Sequence, residues 1–392
     1  MRSRLKPQVI LLGFAALLND AASEMIYPLL PVFLTATLGA SPAVIGIIEG
    51  AADGVASILK YFAGRWSDRG GGRKPYVVGG YALAAASRAL VAAARVWPLV
   101  LFARLVDRTG KGIRSAPRDA MISDVTPPDQ RGRAFGFHRA LDHTGAIVGP
   151  LLAMIAVPYV GLRGAFYLSV VPGAIGVAML VVLLKDERGR MNDEQPSDPA
   201  PPRSSFILHR SSFRKALTAI SLFSLSNSSD AFLLLQAHAA GVRTAMLPAL
   251  WAAHHVIKAL FSTAAGSLSD RVDRRHLLVA GWSSYALLYL VFPYARTMTA
   301  FLVLFILYAI PFTLAEGAER AWIADLVPAE VLGASFGLYY LANGLCVLAG
   351  TALFGVLYER VSPRAAFHTG AALAMGAVIA VLLTRRAPRV AT

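Results

Sequence analysis

The 392-residue sequence predicts an all-α membrane protein with twelve transmembrane helices, arranged as two six-helix halves with both termini in the cytoplasm. Three observations predict it: an apolar composition, a regular alternation of apolar runs with basic connections, and an internal repeat. Hydrophobic residues make up 56% of the chain and charged residues only 16%, well below the roughly 25% of soluble domains. Mean hydropathy is +0.55. A formal charge of +15 is compatible with nucleic-acid binding or with membrane topology, and the position of the cations decides between them. They lie mostly between apolar runs, so the basic balance reads as topology, with anionic lipid as a partner and no nucleic acid. The lone Cys346 rules out an internal disulfide.

The first run, 8–35, follows Arg2, Arg4 and Lys6 but continues through Tyr27 and Pro28 to Phe33. That exceeds the ~7–15 residues of a signal-peptide core, so it reads as a retained first helix. Runs at 42–63 and 75–95 supply the second and third helices, joined by GRWSDRGGGRKP. The fourth, 98–123, belongs to LVLFARLVDRTGKGIRSAPRDAMISD, from Leu99 to Asp124. Helical spacing puts Arg104, Asp107, Arg108, Lys111, Arg114, Arg118 and Asp119 within about 140° of arc, giving the helix one charged face. Runs at 134–158 and 165–184 close the first half. From Lys185 to Phe213 the chain is rich in Pro, Ser and charge, which predicts a flexible cytoplasmic linker. Runs at 214–240, 247–267, 276–294, 298–324, 332–357 and 363–384 complete the second half. Most runs reach the ~20 residues a spanning helix needs. The predicted division is a six-helix bundle over 1–184, the linker over 185–213 and a second bundle over 214–392.

With both termini inside, the cytoplasmic connections carry 22 of the 38 Lys and Arg residues, the opposite side carries six, and ten lie within the spans. This is the positive-inside bias. It predicts a multi-pass protein of the plasma membrane, the inner membrane of a bacterium.

An offset near 201 aligns the halves. GRWSDR at Gly64 to Arg69 returns as GSLSDR at Gly266 to Arg271, and DVTPPDQRGRAFG at Asp124 to Gly136 returns as DLVPAEVLGASFG at Asp325 to Gly337. Transporter folds often carry such parallel repeats. GRWSDRGGGRKP resembles the loop between helices two and three of the major facilitator superfamily, with one extra glycine among Gly70, Gly71 and Gly72. The second copy keeps Gly266, Asp270, Arg271 and Arg274, with Asp273 in place of the glycine. Gly136, Gly145, Gly149 and Pro150 resemble the fifth-helix antiporter motif of proton-coupled exporters in that superfamily. Ala153 and Met154 stand where the motif continues with paired glycines. Glycines at this spacing permit close helix packing, and the proline breaks a backbone hydrogen bond. The second half repeats the spacing with Gly337, Cys346 and Gly350, so generic small-residue packing is the competing reading.

The resemblance implies a transporter, not an enzyme, with no cofactor and the proton gradient as its energy source. It implies a gate that includes Gly64, Asp68, Arg69, Arg73, Asp270 and Arg271, and a central cavity lined by helices one, four, seven and ten. Those helices supply Asp20 and Glu24, the charged fourth-helix face, Asp230, and Glu316 with Glu319. Burying a charge at mid-membrane costs at least ~2.5 kcal/mol, so the ten acids and ten cations within the spans must pair or face a cavity. Asp20, Glu24 and Asp230 are the proton-coupling candidates, and Arg108 could tune a neighbouring acid. Arg108 with Gly112 fits the fourth-helix RxxxG signature, and Arg104 fits it in a shifted register. The structural alternative is that the acids neutralise Arg108, Lys111 or Arg114. Arg104, Asp107, Arg108, Lys111, Arg114 and Glu316 are candidates to line the substrate cavity. Arg118 and Asp119 align with Glu319 and Arg320, opposite in sign, as suits an electrostatic latch.

Glu49 and Asp53, with His254 and His255, are weaker candidates for a metal site, since neither HExxH nor a Cys/His cluster is present. Tyr27, Trp251 and Trp322 read as interface or packing aromatics. No GxxxxGK[ST] loop occurs, which argues against ATP-driven pumping. The expected function is proton-coupled efflux of a small organic solute by a monomer working through alternating access. Arg forks suit carboxylate or phosphate, which favours an anion or zwitterion, although the cavity acids also suit a cationic drug. The runner-up is proton-coupled uptake of an organic anion. A non-transporting membrane sensor or scaffold is the reading from another class.

Overall fold

The computed structural model describes residues 5–30, 33–40, 42–69, 72–185, 203–227, 232–233, 236–237, 240–242 and 247–384. Among these there are helices and no strand. In order they are α1 (Pro7–Glu24), α2 (Pro42–Arg69), α3 (Lys74–Ala93), α4 (Trp97–Asp124), α5 (Arg131–Leu168), α6 (Val170–Leu183), α7 (Arg203–Ser226), α8 (Leu247–Arg271), α9 (Arg274–Val291), α10 (Met298–Leu307), α11 (Ala309–Asp325), α12 (Leu332–Arg360) and α13 (Pro363–Leu382).

Every predicted apolar run contains helix, with three differences at the boundaries. α5 joins the fifth and sixth runs through a bend at Gly161, whose φ of 67° is a conformation that favours glycine. α10 and α11 divide the tenth run at Tyr308. α7 starts at Arg203, inside the stretch read as linker; the remainder of that stretch, 186–202, lies outside the described residues. So do Asp230 and the side chains of Glu49, Asp53 and Trp251. By length and composition, seven helical stretches among the described residues are able to cross a membrane. α4 is long enough at 28 residues but is not one of them, because of the charges on its one face.

Two compact units emerge from the packing. One comprises Met1–Thr126, Ala140–Asp198 and Ala329–Tyr340; the other comprises Pro127–Arg139, Pro199–Pro328 and Leu341–Thr392. The first unit therefore takes in the start of α12, and the second takes in the start of α5. Within the first, α4 packs on α2 and α3, and α6 packs on α1 and α3. Phe33 meets Phe166 edge-on at 5.1 Å in an apolar core with Ile26, Leu30 and Val100. Within the second, α9 packs on α11 and α13, α7 on α13 and α8 on α11. Its core is aromatic: Phe223 stacks on Trp282 at 4.7 Å and Tyr285 on Tyr289 at 4.2 Å.

Local chemistry starts the helices. Proline occupies the first turn of α1, α3, α4 and α13, where its missing N–H is no loss. Asp273 caps α9, accepting from the Arg275 N–H at 3.1 Å and pairing with the Arg275 guanidinium at 2.5 Å. This explains the departure from the loop pattern: Gly72 holds φ 129° in the first copy, whereas Asp273 at φ −62° is a capping residue. Asp273→Ala is expected to lower stability by about 1 kcal/mol, read as a lower melting temperature. The hydrogen bonds from Arg275 hold the Asp273 carboxyl below the ordinary carboxylate range. The same contribution is therefore present at neutral pH and is lost as pH falls through that lowered value.

Candidate functional site

α4 is amphipathic in the inverted sense. Arg104, Asp107, Arg114, Arg118 and Asp119 are buried, whereas Phe102 on the opposite face is 55% exposed. A soluble helix does the reverse; this arrangement suits a helix whose surroundings are apolar and whose polar face meets other helices. The buried face is wired internally. Asp107 takes Arg104 at 3.4 Å and Arg108 at 3.3 Å. Arg114 stacks its guanidinium over the Tyr81 ring at 4.6 Å and reaches the Gly80 carbonyl at 3.4 Å. Arg118 pairs with Asp119 at 2.9 Å, and the Tyr340 hydroxyl donates to the other Asp119 oxygen. Lys111 is exposed.

α1 brings its two acids to this face. Asp20 lies within electrostatic reach of Asp142, Lys111 and Arg114, and Glu24 within reach of Asp20, Lys111, Arg108 and Arg104. Asn19 links them to α3: its amide donates to Asp20 at 3.0 Å, while Arg88 donates to its side-chain and backbone oxygens at 2.8 and 2.9 Å. The glycines of α5 set the approach of α1. A Cβ on Gly145 would lie 2.6 Å from the Leu17 carbonyl and 3.0 Å from the Asp20 Cβ, and one on Gly149 would lie 2.7 Å from the Glu24 Cβ. Three motif members thus do separate tasks: Gly145 and Gly149 seat α1 beside its acids, while Gly136 packs on Ser262 of α8. Gly145→Val is expected to cost about 1–3 kcal/mol by overpacking and to lower the melting temperature accordingly.

The repeated loop motif builds the same device in each unit. Asp68 accepts from the N–H groups of Gly333 at 3.0 Å and Ala334 at 2.6 Å, at the start of α12. Arg73 fixes it from behind, donating to Asp68 at 3.0 Å and to Asp124 at 2.6 Å. In the other unit Asp270 accepts from Gly132 at 2.7 Å and Arg133 at 2.8 Å, at the start of α5. Arg274 donates to Asp270 at 3.0 Å and to Asp325 at 2.6 Å, and Arg131 joins Asp325 at 3.1 Å. Burial pushes the Asp270 carboxyl up, against the pull of Arg274 and of the two N–H groups. Each carboxylate satisfies two helix-terminal donors and the positive end of a helix dipole. Close approach makes this possible: a Cβ on Gly333 would strike Ser67 and Asp68, and one on Gly64 would strike the Gly333 carbonyl.

The structure therefore joins Gly64, Asp68 and Arg73 in one cluster and Asp270 with Arg274 in another, while Arg69 and Arg271 are exposed at the ends of α2 and α8. Glu316 is in the second unit with Lys258, at 2.7 Å, and Arg139, at 4.0 Å. Glu319 accepts from Trp282 Nε1 at 3.3 Å, and Arg320 donates to the Glu316 carbonyl at 2.6 Å. Sequence reasoning missed Asp124 and Asp325 as ion partners, although both head the repeated segment that aligns the halves. It also missed Tyr340, which no motif marks. Among the described residues no cluster of metal-ligating side chains occurs.

A family model described as Major Facilitator Superfamily matches residues 12–253 and again 235–392. An uncharacterised MFS-type transporter of Methanocaldococcus jannaschii is 32% identical over 382 residues, covering 95% of this chain and 93% of that protein. The multidrug resistance protein MdtH of Escherichia coli is 30% identical over 135 residues, 34% of this chain and 33% of MdtH. Among solved structures, the human organic anion transporter TETRAN superposes with a TM-score of 0.78 at 16% identity, covering 95% of this chain and 98% of that one. The E. coli fucose:proton symporter FucP superposes with a TM-score of 0.74 at 17% identity, covering 97% and 98%. At these identities the two structures share the fold.

Proposed function

The chain belongs to the Major Facilitator Superfamily of membrane transporters, and from that premise we propose that it exports a small organic solute in exchange for protons, by alternating access. In this reading twelve helices cross the plasma membrane, the inner membrane of a bacterium, with both termini in the cytoplasm. The protein works as a monomer, and the proton gradient is the only energy source, with no cofactor. The observation that carries it is the buried charged face of α4 with Asp20 and Glu24 beside it. Arg104, Arg108, Lys111, Arg114 and Arg118 outnumber Asp107 and Asp119 on that face, which suits a solute bearing carboxylate or phosphate. Carboxylates seated on a packed helix beside such cations suit a site where proton and solute binding are linked. The seating of α1 on Gly145 and Gly149, and the likeness of a third of the chain to a multidrug resistance protein, support the export direction. The opposite signs of Arg118–Asp119 and Glu319–Arg320 suit the closing step of such a cycle.

The test is uptake into proteoliposomes with the proton gradient imposed in each direction, over a panel of anionic, zwitterionic and cationic solutes. The reading expects an anion or zwitterion to accumulate only when the vesicle interior is the more acidic side. Accumulation with the acid side outside would mark an uptake symporter, and flux indifferent to the gradient would remove proton coupling altogether.

A further inference from the structure

The apolar run 214–240 opens with Arg214, and the run 363–384 closes with Thr384. The start of α7 and the end of α13 therefore meet at one membrane boundary, the cytoplasmic one in the topology proposed above. Between them, within the second unit, is a cleft of about 960 Å³. Ser211, Arg214, Lys215 and Thr218 of α7 line one side, and Ala380 of α13 and Leu383 just beyond it line the other. Arg214 and Lys215 are exposed, and neither has a carboxylate partner among the described residues. Below the cleft, Met375, Ile379 and Leu382 recur at one-turn spacing on α13, all exposed, and continue the apolar side into the membrane.

The first unit closes the corresponding junction between α1 and α6. There Gln8 donates to the Lys185 carbonyl at 3.2 Å, and Lys74 to the Val181 carbonyl at 3.0 Å. The second unit repeats the latter tie: Arg275, which aligns with Lys74 at the offset of 201, donates to the Thr384 carbonyl at 2.6 Å. Where the first unit has the Gln8 tie, the second has the cleft and its two cations. The sequence flanking the cleft, 203–215 and 384–392, contains no acid to neutralise them. Cations and a hydroxyl on one side and apolar surface on the other match the two parts of a phospholipid, and basic pockets between membrane helices suit anionic head groups.

We propose that this cleft is a binding site for an anionic phospholipid of the surrounding leaflet. Arg214 and Lys215 hold its phosphate with the Ser211 hydroxyl beside them, and an acyl chain lies along Leu382, Ile379 and Met375. This assigns one place to an attraction that the basic balance of the chain gives only as a general bias. The site is independent of proton coupling and of the direction of transport.

Native mass spectrometry of the full-length protein in detergent tests it, with phosphatidylglycerol or phosphatidylcholine added; both carry the phosphate, but only the first is anionic. The wild type is expected to hold one phosphatidylglycerol at concentrations where phosphatidylcholine does not bind. Arg214→Gln/Lys215→Gln is expected to weaken that binding by about 30-fold, the combined effect of two cations, and to keep the lipid-free melting temperature, since both side chains are exposed. Lys6→Gln/Arg65→Gln removes the same charge from exposed positions of the first unit and is expected to bind as the wild type does. Inorganic phosphate at the same concentration is expected to leave the lipid in place. Equal binding of the two lipids, as would follow if the acids of 186–198 filled the cleft, overturns the proposal. So does unchanged binding in Arg214→Gln/Lys215→Gln, an equal loss in Lys6→Gln/Arg65→Gln, or displacement by inorganic phosphate, which would mark a site for a free ion.

Discussion

Asp68→Ala is expected to reduce solute counterflow by about 10- to 100-fold while leaving the protein in the membrane. The substitution removes the acceptor for the Gly333 and Ala334 N–H groups, which are then orphaned at the start of α12. Leaving a buried donor unsatisfied costs about 1–3 kcal/mol. Arg73 keeps only Asp124 of its two carboxylate partners, so its buried charge is less well balanced. A state held together by this cluster loses a few kcal/mol relative to any state in which the cluster is open. That is enough to shift a two-state cycle by one to two orders of magnitude in population. Asp270→Ala is expected to act in the same way on the start of α5, through Gly132, Arg133 and Arg274. Counterflow normalised to the amount of protein in the membrane checks both, and the melting temperature separates a shifted cycle from unfolding.

Replacing Asp20 by Asn together with Glu24 by Gln is expected to abolish gradient-driven accumulation entirely, yet to spare downhill exchange of solute. Both amides are nearly isosteric with the acids and keep the packing of α1 on Gly145 and Gly149. The hydrogen bond from Asn19 to Asp20 also has an acceptor oxygen in the amide. What disappears is the ability to take up and release a proton next to Lys111, Arg108 and Arg114. If the acids merely neutralised those cations, the double variant would instead lose stability and solute binding together. Comparing uphill uptake with downhill exchange in the same vesicles tells the two apart.

Much of this site was legible in the chain. Seven charges at helical spacing in α4 marked a charged face, and the return of GRWSDR and DVTPPDQ marked two related halves. Periodicity alone gives a face but not the medium it meets; the cost of charge against lipid and the resemblance turned that face inward, and Arg104 and Arg114 are buried. Asp124 and Asp325 were visible as alignment markers, but their pairing with Arg73 and Arg274 spans about fifty residues and depends on how α4 and α11 end beside those loops. The start of α7 at Arg203 was obscured by the basic, serine-rich run RSSFILHRSSF, whose composition suits a linker as well as a polar helix end. The pairing of Lys258 with Glu316 required the packing of α8 on α11, which no local pattern carries.

Proton-coupled export is tested most directly by the pH inside proteoliposomes, read with a trapped fluorescent indicator when the transported solute is added outside. Exchange of entering solute for leaving protons predicts that the interior turns alkaline, with no change in the Asp20→Asn/Glu24→Gln protein. An interior that turns acidic on solute addition, or stays constant while the solute enters, would contradict it.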